Sequence, residues 1–169
     1  KGGVVRAINA KGFASVTTGQ IKRLEEIARE AGAGGLAYIK VEGGEWKSPI
    51  VKFFSDAEKA ALSDRLGIEE GDLVLFGCDQ WEVVCDVLGR LRLEVAAMCQ
   101  LYEGKDDILD FFWVIDFPLL AYDEEEGKWN AVHHPFTRPH PDDIALLDDE
   151  ASYGKIRGAA YDVVLNGNE

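Results

Sequence analysis

The sequence predicts an α+β protein in which strands of antiparallel sheets alternate with amphipathic helices. Three observations support this prediction. Capping boxes at Thr17 and Ser55, each with Gln or Glu three positions later, precede apolar residues at helical spacing. Gly43 and Gly44 separate two strand-like runs, as in a tight hairpin. A long run of aromatic and β-branched residues, which favours strand, begins at Phe111.

The first hundred residues predict the order strand, helix, strand, strand, helix, strand and exit helix. This order is ferredoxin-like and is typical of two α+β layers. The run 71–77 has a continuously apolar core and is predicted to be the central strand. The exit helix is predicted to have an N-terminal cap at Asp79. The other strands are expected at 3–8, 35–41 and 46–54, with Gly32 and Gly67 ending the first two helices.

The segment 111–137 predicts a hairpin with a strand at 111–122, an acidic loop at 123–128 and a returning strand at 128–137. A six-residue loop pairs Tyr122 with Trp129, Leu120 with Ala131 and Pro118 with His133. Alternation then places Asp116 diagonal to His133, where its carboxylate could accept a proton and fix the imidazole tautomer. A solvated loop that could contain one helical turn is expected at 139–150, and a third strand at 158–165.

Composition limits the classes of function. The 169 residues carry a net charge of -13, and the charge is uneven: 13 basic and 15 acidic residues up to Leu101, then 5 and 16. An acidic surface repels phosphate, so strong nucleic-acid binding by this chain alone is not expected. No apolar run is long enough to span a membrane, and no signal peptide is recognisable. Three unpaired cysteines predict buried, reduced thiols in the cytosol. Both ends are expected to be cut from a longer chain.

Seven segments then carry a resemblance. In order they are GGLAYIKV, SPIVKF, GDLVLFGCD, LGRLRLE, FFWVIDFPLL, HHPFTRP and AYDVVLNGNE. Together they resemble bacterial-type aspartyl-tRNA synthetases over most of the chain. Residues 1–100 resemble the GAD insertion domain of that family. Residues 101–169 resemble the catalytic strands that resume after it, which implies a two-layer GAD domain followed by a partial antiparallel sheet of a class II synthetase.

The resemblance implies activation of aspartate with ATP and Mg²⁺, transfer to tRNA(Asp), a homodimer and a cytoplasmic location. His133 is expected to face the α-ammonium of aspartate. Glu169 is expected to meet ATP and its magnesium, with Asp162 as a second metal ligand. Their odd separation along a strand makes Glu169 the stronger candidate. The arginine-bearing class II motifs and the anticodon-binding barrel are not in this sequence, so the chain alone is expected to be inactive.

Several alternatives remain open. The chain could be a non-catalytic tRNA-associated module, because GAD domains also occur in an archaeal amidotransferase subunit, or a stand-alone interaction domain. His133 and His134 could be structural, and with His140 could bind zinc. Asp116 is expected to be an orienting carboxylate rather than a general base. The acidic turn Asp123 to Glu126 could be only solvated. Arg90 and Arg92 could brace the two parts or lie on the surface, and the four tryptophans are expected in cores or domain contacts.

Overall fold

The computed structural model describes residues 2–105 and 107–167, which form two compact units, Lys1–Asp106 and Asp107–Glu169. We call these the first unit and the second unit. The domain boundary predicted between residues 100 and 101 stays a prediction. Across the described ranges, no helix has the length and apolar character needed to cross a membrane.

The first unit contains a four-stranded antiparallel sheet with three helices. Its elements are β1 (Val4–Ala10), α1 (Thr18–Glu30), β2 (Ala37–Glu42), β3 (Glu45–Lys47), α2 (Asp56–Leu66), β4 (Leu73–Asp79) and α3 (Trp81–Met98). The sheet order is β1-β4-β2-β3, so β4 is central as predicted. The predicted α+β class and element order are confirmed.

Alternation along β4 divides the core between the two faces of the sheet. Leu73 and Leu75 join the main core beneath α1 and α3. Val74 and Phe76 point to the opposite face, where loop residues and Leu66 at the end of α2 form a thinner cover. The prediction of two layers therefore holds for the sheet and the layer formed by α1 and α3. Helix α2 does not form a packed layer of its own, because it has no buried residue.

Local signals placed most of these elements correctly. Thr17 and Ser55 each form a complete capping box, and Gly67 ends α2 with a positive φ of 57°. Gly43 and Gly44 turn the β2–β3 hairpin at φ of 68° and 76°. The capping prediction at Asp79 is wrong, because Asp79 belongs to β4 and α3 starts after an N-cap residue that makes no side-chain cap.

The strand predicted at 46–54 is also wrong beyond Lys47. Pro49 has no N–H with which to continue a ladder, and the chain turns into a short 3₁₀ helix, Val51–Phe53. The cysteines are free, but Cys78 and Cys85 are exposed and Cys99 is half-buried, so the prediction of buried thiols is wrong.

A buried carboxylate joins the end of β1 to the start of β4. Asp72 is 1% exposed and accepts hydrogen bonds from Asn9 Nδ2 at 2.8 Å and from the backbone N–H groups of Gly12 and Glu69 at 3.0 and 2.9 Å. Lys11 Nζ lies 3.1 Å from the same carboxylate. Burial opposes ionisation, but the hydrogen bonds outweigh it and lower the pKa of Asp72 to about 2.

The second unit contains two separate pairs of strands. Its elements are β5 (Phe111–Val114), β6 (Leu120–Asp123), β7 (Lys128–Ala131), β8 (Asp162–Leu165) and the 3₁₀ helices Pro141–Asp148 and Glu150–Lys155. Antiparallel pairs form between β5 and β8 and between β6 and β7. The single strand predicted at 111–122 is wrong, because Asp116 adopts a left-handed φ of 60° and divides it.

Candidate functional site

The hairpin that leads to the two adjacent histidines has the predicted register. Tyr122 pairs with Trp129 and Leu120 pairs with Ala131. The returning strand was predicted to reach Thr137 but ends at Ala131. The predicted pairing of Pro118 with His133 is therefore wrong, and Pro118 instead forms an isolated bridge with Arg157.

The histidine segment forms a turn after β7. Phe136 N donates to His134 Nδ1 at 3.2 Å, and Thr137 N donates to the carbonyl oxygen of His134 at 2.9 Å. His134 thus stabilises the turn. His133 is exposed, and its ring packs edge-to-face against Phe117 at a centroid distance of 4.5 Å. The His133 imidazole is therefore exposed and is held on one side by the Phe117 ring.

Asp116 does not have the partner expected for it. The alignment of Asp116 with His133 assumed an unbroken strand, which the left-handed backbone at Asp116 rules out. The Asp116 carboxylate instead accepts a hydrogen bond from Arg157 Nη1 at 3.3 Å. An orienting role for Asp116 stays a prediction, with Arg157 as the group that it contacts.

Arg157 and Asp143 form a tightly bonded pair. Arg157 Nε and Nη2 donate to the two carboxylate oxygens of Asp143 at 2.8 and 2.9 Å, and the Arg157 backbone N–H adds a third bond at 2.9 Å. Bidentate pairs of this kind are among the stronger hydrogen bonds in proteins. The Arg157 bonds lower the pKa of Asp143 to about 2, and the same contact raises the pKa of Arg157.

Sequence reasoning missed this pair. Asp143 lies in the stretch 139–150, for which a solvated loop with at most one helical turn is predicted. The helical turn is present as the 3₁₀ helix Pro141–Asp148, but the Asp143 side chain is buried and not solvated. One signal was available: beyond Arg138, Lys155 and Arg157 are the only basic residues in a strongly acidic segment. A lone arginine among carboxylates favours a specific ion pair, but the sequence does not say which carboxylate it binds.

The structure describes one of the two predicted magnesium ligands but not the other. Asp162 lies half-buried at the start of β8, opposite Val114. Glu169 lies outside the residues that the structure describes. Within residues 2–105 and 107–167, no group of three or more His, Cys, Asp or Glu side chains is arranged to hold a metal ion.

The remaining candidates are surface or packing residues. Arg90 Nε bonds Asp86 Oδ1 at 2.9 Å on the exposed side of α3, and Arg92 is exposed. Trp46 and Trp129 pack within their own units. Trp81 is 50% exposed and Trp113 is 62% exposed, so neither is a core residue, and the alternative of a domain contact stays a prediction for both.

Comparison with known proteins identifies the family. A model described as the GAD domain matches residues 1–88, which is more than half of the chain. The chain belongs to the GAD domain family. The match spans β1 to the first turns of α3 and so lies within the first unit.

Similarity to curated proteins extends over the second unit as well. The chain is 58% identical over 172 residues to the Aspartate--tRNA(Asp/Asn) ligase of Opitutus terrae, covering 99% of the chain and 28% of that relative. The enzyme of the same name from Methylacidiphilum infernorum is 51% identical, covering 100% and 28%. The Aspartate--tRNA ligase of Geobacillus kaustophilus is 50% identical, with the same coverage. The chain spans about 28% of the length of these relatives, and the resemblance seen in its motifs is confirmed.

Proposed function

We propose that this chain is part of an aspartate–tRNA ligase, a class II synthetase that activates aspartate with ATP and transfers it to tRNA(Asp). One observation carries the proposal: the chain is similar to proteins named for this activity over 99% or more of its length. This similarity includes the histidine turn. A stand-alone GAD module gives no reason for the second unit to match. Residues 1–100 are then the GAD insertion domain and residues 101–169 a part of the catalytic domain.

In this proposal His133 contacts the α-ammonium of bound aspartate. A neutral imidazole offers one ring nitrogen as an acceptor, and an ammonium group offers three donors. The exposure of His133 supports the proposal, because a ligand-facing group must be reachable. The contact of His133 with the Phe117 ring supports the proposal further, since this T-shaped packing restricts the orientations of the imidazole.

ATP and Mg²⁺ are proposed to meet Glu169, with Asp162 as a second carboxylate. Magnesium in nucleotide sites takes one or two protein carboxylates and completes its shell with phosphate oxygens and water. The single half-buried carboxylate of Asp162 fits such a site, whereas a metal cage built from protein groups alone requires more donors. When bound, the ion would neutralise phosphate charge, and the role of Asp162 is to hold a negative charge at the start of β8.

The isolated 169 residues are proposed to be inactive. Adenylate formation needs positive groups that stabilise the developing charge on phosphate, but the residues after Leu101 contain 5 basic and 16 acidic side chains. The missing cations would come from the rest of the ligase. The full enzyme is proposed to act as a cytoplasmic homodimer, and the acidic chain alone is expected to bind nucleic acid weakly.

The test is aspartate-dependent exchange of pyrophosphate into ATP by the full-length protein that contains this chain. His133→Gln should raise the KM for aspartate roughly 10- to 100-fold, because a hydrogen bond to a charged group contributes about 1.5–3 kcal/mol. His134→Asn is the matched control, since the asparagine Oδ1 can replace Nδ1 as the acceptor for Phe136 N and keep the turn, and it should change this KM far less. Absence of exchange in the wild-type full-length protein would contradict the proposed activity, and equal effects of the two variants would contradict the role of His133.

A further inference from the structure

The segment 156–159, which we call the central strip, lies between two other segments of the second unit. One flank is 117–119 and the other is 138–140. Four backbone hydrogen bonds with nitrogen–oxygen distances of 2.7 to 2.9 Å make these contacts: Leu119 to Ile156, Gly158 to Phe117, His140 to Arg157 and Ala159 to Arg138. The flanks are the two ends of the stretch that carries β6, β7 and the histidine turn. The central strip therefore closes the base of that stretch.

The strip fits closely between its flanks. Ile156 is 1% exposed. A Cβ atom added at Gly158 would lie 3.3 Å from Thr137 Cγ2, next to the second flank, and 3.7 Å from the Phe117 carbonyl oxygen in the first. A side chain there would press on Thr137 and would just touch the first flank. The backbone contact leaves little freedom for the flanks to move independently.

The Arg157 side chain ties the same flanks a second time. Its Nη1 reaches Asp116 at 3.3 Å beside the first flank, and its Nη2 lies 3.4 Å from His140 Nδ1 on the second. Asp116 and His140 thus contact the same guanidinium group, whose position is fixed by its two hydrogen bonds to Asp143. A planar guanidinium with five donors can serve three partners at once, which a lysine ammonium on a flexible stem does less well.

These contacts lead to His133 through Phe117. The Phe117 carbonyl oxygen accepts from Gly158 N at 2.7 Å, and the Phe117 ring packs on the His133 imidazole. We propose that the Arg157–Asp143 pair is a positioning element that sets the orientation of His133 through Phe117. The link from this orientation to aspartate binding rests on the proposed function, whereas the positioning itself does not.

The ion pair between Arg157 and Asp143 is intact at neutral pH. Hydrogen bonds from Arg157 hold the pKa of Asp143 at about 2, so its carboxylate stays charged under physiological conditions. In residues 2–105 and 107–167, the side-chain hydrogen bonds of the Arg157 guanidinium go to Asp143, Asp116 and His140, and none goes to the His133 ring. Their effect on His133 is therefore indirect.

The experiment uses NMR of the 169-residue chain with isotope-labelled histidine. The His133 ring signals are assigned with His133→Gln, and the spectra of Asp143→Asn and Arg157→Lys are compared with the wild type. Both variants should move the His133 ring-proton shifts, because the shielding by the Phe117 ring changes with distance and angle. Asp142→Asn is the matched control: Asp142 is an exposed neighbour whose carboxylate lies 3.9 Å from Arg157, and it should leave the shifts in place.

The indole signal of Trp129 reports whether the hairpin remains folded, since its ring makes a T-shaped contact with Tyr122 at a centroid distance of 5.3 Å. Unchanged His133 shifts in both variants would overturn the positioning role. Loss of the Trp129 signal in both would also overturn it, because the pair would then be needed for the whole unit and not for the histidine in particular.

The full-length enzyme tests the functional consequence. Asp143→Asn should raise the KM for aspartate on the order of tenfold, as a small displacement of a binding group does, with the KM for ATP unchanged. If His133→Gln alters this KM and Asp143→Asn does not, the positioning role is overturned. If neither alters it while the NMR shifts move, the positioning role stands and the proposed role of His133 in aspartate binding fails.

Discussion

The two units of this chain are stabilised in different ways. The described part of the first unit buries nineteen apolar residues, from Ala10 to Ala96, whereas that of the second unit buries three, which are Leu119, Ile156 and Val164. Two-stranded pairs such as β5–β8 are marginal by themselves because they bury little surface. The first unit has the core of an independent domain, while the second depends on polar contacts around Arg157 and has apolar surface available for further packing.

Truncating a buried side chain in the core of the first unit should give the largest loss of stability. Leu75 is 0% exposed at the centre of β4, and Leu75→Ala should cost about 2–5 kcal/mol of the free energy of unfolding of the first unit. Urea unfolding followed at Trp46 measures this. Leu93→Ala, at a position that is 55% exposed, is the control and should stay within about 0.5 kcal/mol. Similar losses from both would mean that the core does not lie where the structure places it.

A smaller effect is expected from the buried carboxylate. Asp72→Asn should destabilise the first unit by roughly 1–3 kcal/mol, because several donors lose a charged acceptor. Since the pKa of Asp72 falls from 3.8 to about 2 on folding, the stabilisation by its charge is complete above pH 4 and is lost as the pH falls toward 2. Urea unfolding between pH 6 and pH 2 should show the wild type and the variant converging in acid. A constant difference would contradict the assignment.

The smallest effect in the isolated chain should come from an aromatic residue of the second unit. Phe111 is 61% exposed on β5, so Phe111→Ser should change the stability of the 169-residue chain by no more than about 0.5 kcal/mol. We expect the rest of the proposed catalytic domain to cover this surface in the full-length protein, where the same change should cost about 1.5–3 kcal/mol. Thermal unfolding of both forms checks this, and an equally small effect in both would argue against such a cover.

Much of the first unit could be predicted from sequence because its signals are local. Thr17 and Ser55 satisfy helix N-termini within three residues, and the two glycines of the β2–β3 turn supply the backbone conformation that a tight hairpin needs. The sheet order was not predictable in this way, since β1 pairs with β4 across more than sixty residues of sequence.

The candidate site was less accessible to the same reasoning. The hairpin register followed from loop length. Strand alternation failed at Asp116, where one left-handed residue interrupts the strand, so that the positions before it no longer share a face with those after it. The Arg157–Asp143 pair joins residues fourteen positions apart in irregular structure, for which no periodicity exists. The role proposed for His133 came from resemblance, not from geometry.

Hydrogen exchange of the 169-residue chain tests the contrast between the units most directly. The backbone amides of β4, from Leu73 to Asp79, should exchange only through global unfolding of the first unit. Those of β8, from Asp162 to Leu165, should exchange far faster, through local opening of a two-stranded pair. Equal protection of the two strands would contradict the account, because it would require the second unit to be as completely packed as the first.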